Sequence, residues 1–409
     1  MNSSKVRLRG SLIFVILLLL SVLGVGIFWS FQRGGRDFAV FFEAGRLVSI
    51  GEGASIYQKG PDRFLYSPGF AWFFSLFSRL PFPTALSVWT VLKVAGLILL
   101  AKKLAEPWMG RGKELGWLGT LIGILVLSKP LLIDFEYGQV NLLILASIVW
   151  ALSNRKELGS AWSGALLSWT VFSFLAFAKV FPLPLLLTPF LVSKGVSRSR
   201  LWAERVGIGV GFLLSFGIPV LSSGFSGTLL LIQNWGDALL SKGMPLESHN
   251  QSFSALLFHY LSGIPTFARS EGPEPLALGA SFLNSHQIAL LSAAWGCMVF
   301  GWGLSWLRSG SWRDPAQWIA LSAAFLILPS HLVWKTYFVM SIPVGVFLVH
   351  HCLRTRDKMS VFLLAIVFLG INFSGFDWLG HPWGAYLEAA SLFLILHILM
   401  MLRVGSISR

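Results

Sequence analysis

Charge is scarce in this 409-residue chain: Asp, Glu, Lys and Arg together make up 12% of it, about half of the roughly 25% usual in a soluble domain. With 55% hydrophobic residues and a mean hydropathy of +0.71, that scarcity excludes a soluble globular enzyme and predicts an integral membrane protein. Cysteine is scarce as well. Cys297 and Cys352 fall inside or beside apolar runs and read as small buried hydrophobes, not as a disulfide or a metal pair. No HExxH, CxxC or Walker A motif occurs, and no GxGxxG follows a strand pattern, which argues against a zincin, a thiol enzyme or a nucleotide-driven pump. Asp357 and Asp377 stand isolated, so no DxD pair marks a metal and sugar-nucleotide site. Neither a metal nor a cofactor is expected.

What is abundant is apolar and aromatic. Eighteen Trp and 34 Phe suit a polytopic chain with aromatic belts at both interfaces. The first apolar run, Leu12 to Phe31, exceeds a signal-peptide core and lacks a small-residue cleavage site, so it is expected to stay as a helix. Hydropathy predicts about 12 apolar helices in all, at roughly 11–31, 84–101, 115–131, 139–153, 160–178, 180–193, 206–222, 287–307, 316–330, 337–351, 359–373 and 384–402. Several fall short of the ~20 residues of a straight span, which predicts tilted, broken or paired half-helices. The fold class is therefore an all-α polytopic membrane protein, a single domain over 1–409 with no internal repeat.

The net charge of +14 reports topology. Its basic residues are scattered between apolar spans and form no single face, so no nucleic acid is expected. With the N-terminus cytoplasmic, every inner segment is basic, among them Lys5, Arg7 and Arg9, Lys102, Lys103, Arg111 and Lys113, and Arg354, Arg356 and Lys358. Most acids, including Asp37, Glu43, Asp134 and Glu136, then lie outside. That asymmetry is the positive-inside pattern. It leaves two long outer segments, about 32–83 and about 223–286, and loops of that length are usually functional. The first contains an amphipathic stretch (Phe38, Val40, Phe41, Phe42, Leu47, Val48) expected to form an interfacial helix. The second ends in a Gly/Pro-rich part around Gly272-Pro273-Glu274-Pro275.

Polar groups at a bilayer boundary are costly and so mark candidate sites. Asp37 leaves the first span between Arg33 and Arg36 on one side and Glu43 on the other. It reads either as an interfacial acid paired with an arginine or as a base. Gly138-Gln139-Val140-Asn141 opens a span, where free amides suit an anionic phosphate or need only capping. Lys179 stands at a helix break before Pro182 and Pro184, either snorkelling to the interface or fixing a positive charge for a lipid phosphate. His331, in Pro329-Ser330-His331, is a candidate proton carrier or phosphate donor, or a satisfied interfacial histidine. Asn250 and Gln251 in the second segment are candidate sugar-hydroxyl ligands.

Together these residues resemble the pattern of family 87 glycosyltransferases, the DUF2029 type, which includes polyprenyl-phosphate-mannose-dependent mannosyltransferases. The resemblance runs through Asp37-Phe38, Glu43-Ala44, Gly51, Tyr57 and Tyr66-Ser67-Pro68, then Gly138-Gln139-Val140-Asn141, Lys179 with Pro182, Asn250-Gln251-Ser252 and Trp334, in that order. It implies a GT-C-type fold in the bacterial inner membrane. It also implies an inverting transfer of a hexose, mannose in the first instance, from a polyprenyl-phosphate donor to a lipid or glycan acceptor on the extracytoplasmic face, without a nucleotide. Asp37 matches the family's first-loop acid and would be the general base, with Lys179, Lys335 and His331 as donor-phosphate ligands. Tyr57, Tyr66, Gln139, Asn141, Asn250, Gln251 and Trp334 would line the substrate site among membrane lipids. Two departures stand out: Trp334 is followed by Lys335-Thr336-Tyr337 where the family often has histidine, and Phe41 stands where a tyrosine is common.

Two other classes compete. A secondary transporter or lipid flippase would show two related halves and midplane charges; no repeat is seen, and the mid-span charges are Lys93 and Glu388. An O-antigen-ligase-like enzyme would lean on arginines in a large outer loop, where the second segment offers Arg269 and Lys242.

Overall fold

The computed structural model describes residues 3–58, 64–155, 162–192, 195–241, 249–262, 279, 281–309, 314–374, 376–380 and 383–407. Among them 84% are helical and none is in a strand, as expected of an all-α polytopic membrane protein. Among the described residues, five helices are long and apolar enough to cross a membrane: Arg7–Gln32, Phe82–Gly110, Arg198–Leu240, Ser285–Arg308 and Lys335–Thr355. A bent pair, Lys113–Val126 and Ser128–Tyr137, would make a sixth, and four shorter apolar helices accompany them. The chain divides into two compact units, one of Gly24–Leu100 and Asp134–Gly243, the other of Met1–Leu23, Ala101–Ile133 and Met244–Arg409.

The first of these units is built on an aromatic core. The amphipathic stretch forms the helix Arg36–Ser49, which buries Phe38, Phe41, Ala44, Gly45 and Leu47 along one stripe. Phe41 meets Tyr66, Phe70 and Phe74 with ring centroids 4.7, 5.3 and 5.2 Å away. These contacts require close backbones. A Cβ on Gly45 would lie 2.4 Å from the backbone of Phe74, and one on Gly69 would lie 2.5 Å from the carbonyl oxygens of Leu214 and Ser215. Those two carbonyls belong to a π-helical turn, Leu213–Gly217, inserted between the helices Arg198–Phe212 and Ile218–Ser241.

The other unit packs the helix Ile342–Thr355 against Lys113–Val126, where Gly119 and Gly123 leave room for His350 and Val346. The bend of 69° after Val126 exposes backbone groups that lipid cannot satisfy. Asn372 satisfies them: its amide donates to the Val126 carbonyl at 3.0 Å, and its oxygen accepts from the Lys129 N–H and the Ser128 hydroxyl, both at 2.8 Å.

Several helices differ from the sequence reading. The expected span at 180–193 is a 3₁₀ turn, Leu183–Leu187, and a four-residue helix, Thr188–Leu191. Pro182, Pro184 and Pro189 remove the donors a longer helix needs. The run 384–402 is split into Trp383–Ala389 and Leu392–Ile407 around Ser391, whose φ is 54°. Within 223–286, helices run on to Ser241 and again over Phe253–Leu261, while the Gly272–Pro275 part lies outside the described residues. The two cysteines are free, but Cys297 is exposed rather than buried, on a helix whose outer face carries Leu290, Leu291 and Met298.

Candidate active site

Asp37 sits in the first turn of the helix Arg36–Ser49, where a helix N-terminus favours a carboxylate. Gly35 sets the entry: its φ of 54° is left-handed, and its carbonyl accepts from the Phe38 N–H at 2.5 Å. Chain direction turns again at Gly138, with φ 64°, where the N–H groups of Gly138 and Gln139 close the preceding helix on the carbonyls of Phe135 and Asp134 at 3.1 and 3.0 Å. A Cβ at Gly138 would approach the Phe38 Cβ to 2.6 Å. The bare glycine therefore lets the turn press against the helix that carries Asp37.

The result is one hydrogen-bonded chain of side chains. Gln139 donates its amide N–H to Asp37 Oδ2 in a short contact. Its amide oxygen accepts from Lys179 Nζ at 3.1 Å and from the Tyr66 hydroxyl at 3.2 Å. Lys179 also donates to Asn141 Oδ1 at 2.8 Å, and its ammonium lies 5.5 Å from the centre of the Tyr66 ring. Local sequence explains how these groups meet. Lys179 follows the last turn of the helix Trp162–Ala178, and the Ser67 N–H donates to the Ala178 carbonyl at 3.3 Å, so Tyr66 is stitched beside the lysine. Asn141 is the first residue of its own helix.

A carboxylate and an ammonium are bridged by one neutral amide that bonds both. Other charges nearby have carboxylate or aromatic partners: Arg33 pairs with Glu136, Arg46 with Glu43 at 2.7 Å, and Arg36 donates to the Tyr137 hydroxyl at 3.1 Å. Glu43, six residues beyond Asp37, is thus an exposed ion-pair partner of its own helix. Tyr57 is buried, and its hydroxyl donates to the Tyr66 carbonyl at 2.8 Å, so it braces Tyr66. Burial pushes the Tyr57 phenol well above its ordinary range.

The remaining candidates lie in the second unit, where they form a structural clip. Asn250 accepts at Oδ1 from the Val333 N–H at 3.0 Å and donates to the His331 carbonyl at 3.2 Å. Ser252 also donates to that carbonyl, at 2.9 Å, and the Gln251 side chain donates to the Glu388 carbonyl at 2.6 Å. Lys335 makes a short ion pair with the buried carboxylate of Glu388, which His249 also contacts. His331 is exposed, and Trp334 is half-buried ahead of the 3₁₀ turn Lys335–Ser341. Sequence reading missed His249 and the hub role of Glu388; the isolated mid-span acid was the only signal.

Helices throughout, apolar faces long enough to span a bilayer, and a polar cluster at helix ends define an integral membrane protein with a built site. The chain belongs to glycosyltransferase family 87, whose family model matches residues 64–334, and it is a glycosyltransferase. It is 24% identical over 401 residues to a polyprenol-phosphate-mannose-dependent alpha-(1-2)-phosphatidylinositol pentamannoside mannosyltransferase of Mycobacterium tuberculosis, covering 92% of this chain and 83% of that protein. The protein of the same name from Mycolicibacterium smegmatis is also 24% identical, over 364 residues, 85% of this chain and 78% of that one. A match of 28% identity to medium-wave-sensitive opsin 1 of Oryctolagus cuniculus covers only 33% of this chain and carries no argument about activity. No solved structure matches the chain significantly.

Proposed function

We propose that the protein transfers a hexose, mannose in the first instance, from a polyprenyl-phosphate donor to a hydroxyl of a lipid or glycan acceptor. The observation that carries this reading is the Asp37–Gln139–Lys179 chain, in a family member whose two mycobacterial relatives are named for that donor. Asp37 is the general base. It takes the acceptor hydroxyl proton as the acceptor oxygen bonds to the sugar's anomeric carbon, while the bond from that carbon to the phosphate oxygen breaks. The departing electron pair stays on the phosphate, whose charge Lys179 balances. Attack opposite the leaving phosphate inverts the anomeric centre. Gln139 and Asn141 hold the two charged groups, and Tyr66 flanks the lysine.

The excess of Lys and Arg in alternate segments between the apolar runs supports an extracytoplasmic site with the N-terminus in the cytoplasm. Lys335 is left out of the phosphate site, because its ammonium is already paired with Glu388. A transfer assay on the purified protein, offering polyprenyl-phosphate mannose, polyprenyl-phosphate glucose and GDP-mannose in parallel with mass spectrometry of the product, tests the reading. Transfer from a polyprenyl-phosphate sugar alone is expected; transfer from the nucleotide sugar would sink it.

A further inference from the structure

Lys93 lies in the middle of an apolar helix, Phe82–Ala105, and is 1% exposed. A lysine there is expensive, and pairing does not remove the expense: a buried ion pair is generally no more stable than apolar residues of the same shape. Such a pair is weak evidence for a stabilising role. The Lys93 ammonium meets Asp134 Oδ1 at 2.7 Å, makes a short hydrogen bond to the Asp134 backbone carbonyl, and lies 4.6 Å from the centre of the Phe135 ring. That same carbonyl accepts the Gln139 N–H at 3.0 Å.

One helical turn earlier, Trp89 donates its indole N–H to the carbonyl of Gly138 at 2.8 Å. Residues four apart share a helix face. One face of the helix thus presents two donors, the Trp89 indole and the Lys93 ammonium, to two carbonyls of the turn that projects Gln139. The turn needs such a clamp because Gly138 has no side chain with which to hold itself and a left-handed φ that is easily lost. We infer that Trp89 and Lys93 are positioning residues for the transfer reaction, fixing Gln139 and through it the separation of Asp37 from Lys179. This rests on Asp37 and Lys179 being the working pair.

The test is a cycle in the full-length protein, with kcat, donor KM and thermal midpoint measured using polyprenyl-phosphate mannose. The variants are Lys93→Met/Asp134→Leu, which replaces the pair by apolar groups of similar size, Gln139→Ala, and all three changes together. Residues that act through one another give non-additive losses. Expected is a pair variant as stable as the wild type with kcat down by about tenfold or more, donor KM within about twofold, and no further loss when Gln139→Ala is added. Full activity in the stable pair variant, or losses that multiply with Gln139→Ala, overturns the inference. If the pair variant does not fold, Trp89→Phe, which removes only the indole donor and its ring, carries the same cycle with the same two outcomes. Asp37→Asn is run alongside: wild-type turnover in that variant refutes the Asp37 assignment itself, separately from the clamp.

Discussion

The carboxylate of Asp37 accepts a hydrogen bond from the side-chain amide of Gln139, 102 residues later in the chain. The bond fixes which way the amide points, and hence that its oxygen faces Lys179. If Asp37 is the base, Asp37→Asn keeps the shape but removes the proton acceptor. Turnover is expected to fall by at least about 100-fold with expression and thermal midpoint unchanged, measured as sugar transfer in purified membranes.

Lys179 and Lys335 should separate cleanly. Lys179→Ala removes an ammonium held by amide oxygens, and donor KM is expected to rise by about tenfold, a change of roughly 1.4 kcal/mol. Lys335→Met instead leaves the buried Glu388 without its cation, so the expected effect is a loss of about 3 kcal/mol in stability with donor KM in the folded fraction little changed. Donor titrations with thermal melts of both variants decide it.

Gly138 is where fold and chemistry are hardest to separate. Gly138→Ala imposes a left-handed residue with a side chain, about 1–2 kcal/mol, and a Cβ 2.6 Å from that of Phe38. A lower melting point and a kcat reduced beyond what the unfolded fraction explains are expected.

This much of the site was legible because its groups are chemically unusual for their surroundings. Asp37, Gln139, Asn141 and Lys179 are polar residues at the ends of apolar runs, and such residues stand out in any hydropathy reading. Their mutual bonds were not legible, since they join segments 38 to 102 residues apart around the turn at Gly138. Lys93 was visible as a mid-span charge, whereas Asp134 read only as one of the acids on the outer side, and nothing in the sequence joined the two. Helix ends were read well where an apolar run stops at polar residues, as at 141–154 and 358–373. They were read poorly around 180–193, where three prolines outweighed hydropathy.

Asp357 gives a pH test independent of the site. It caps the helix Lys358–Phe373, accepting from the Met359 and Ser360 N–H groups, and also meets the Ser360 hydroxyl and Arg403. The bond from Ser360 and the Arg403 guanidinium hold its carboxyl well below the ordinary 3.8. A depressed folded value means the stabilisation is complete above the unfolded value and is lost only as pH falls toward the folded one. The melting point of Asp357→Asn should therefore lie below wild type from pH 8 to about pH 5, the interval widening as His351, 3.6 Å from the carboxylate, gains its proton and shrinking only in stronger acid.

Gly69 and the π-helical turn Leu213–Gly217 meet so closely that neither can change alone. A side chain at position 69 has room only if the widened turn is first tightened, and tightening deletes a residue and rotates everything beyond it by about 100°. Among related sequences, an alanine or larger residue at this position should travel with a one-residue deletion in the distant helix. On that expectation the pair works as a latch, released only by two changes together.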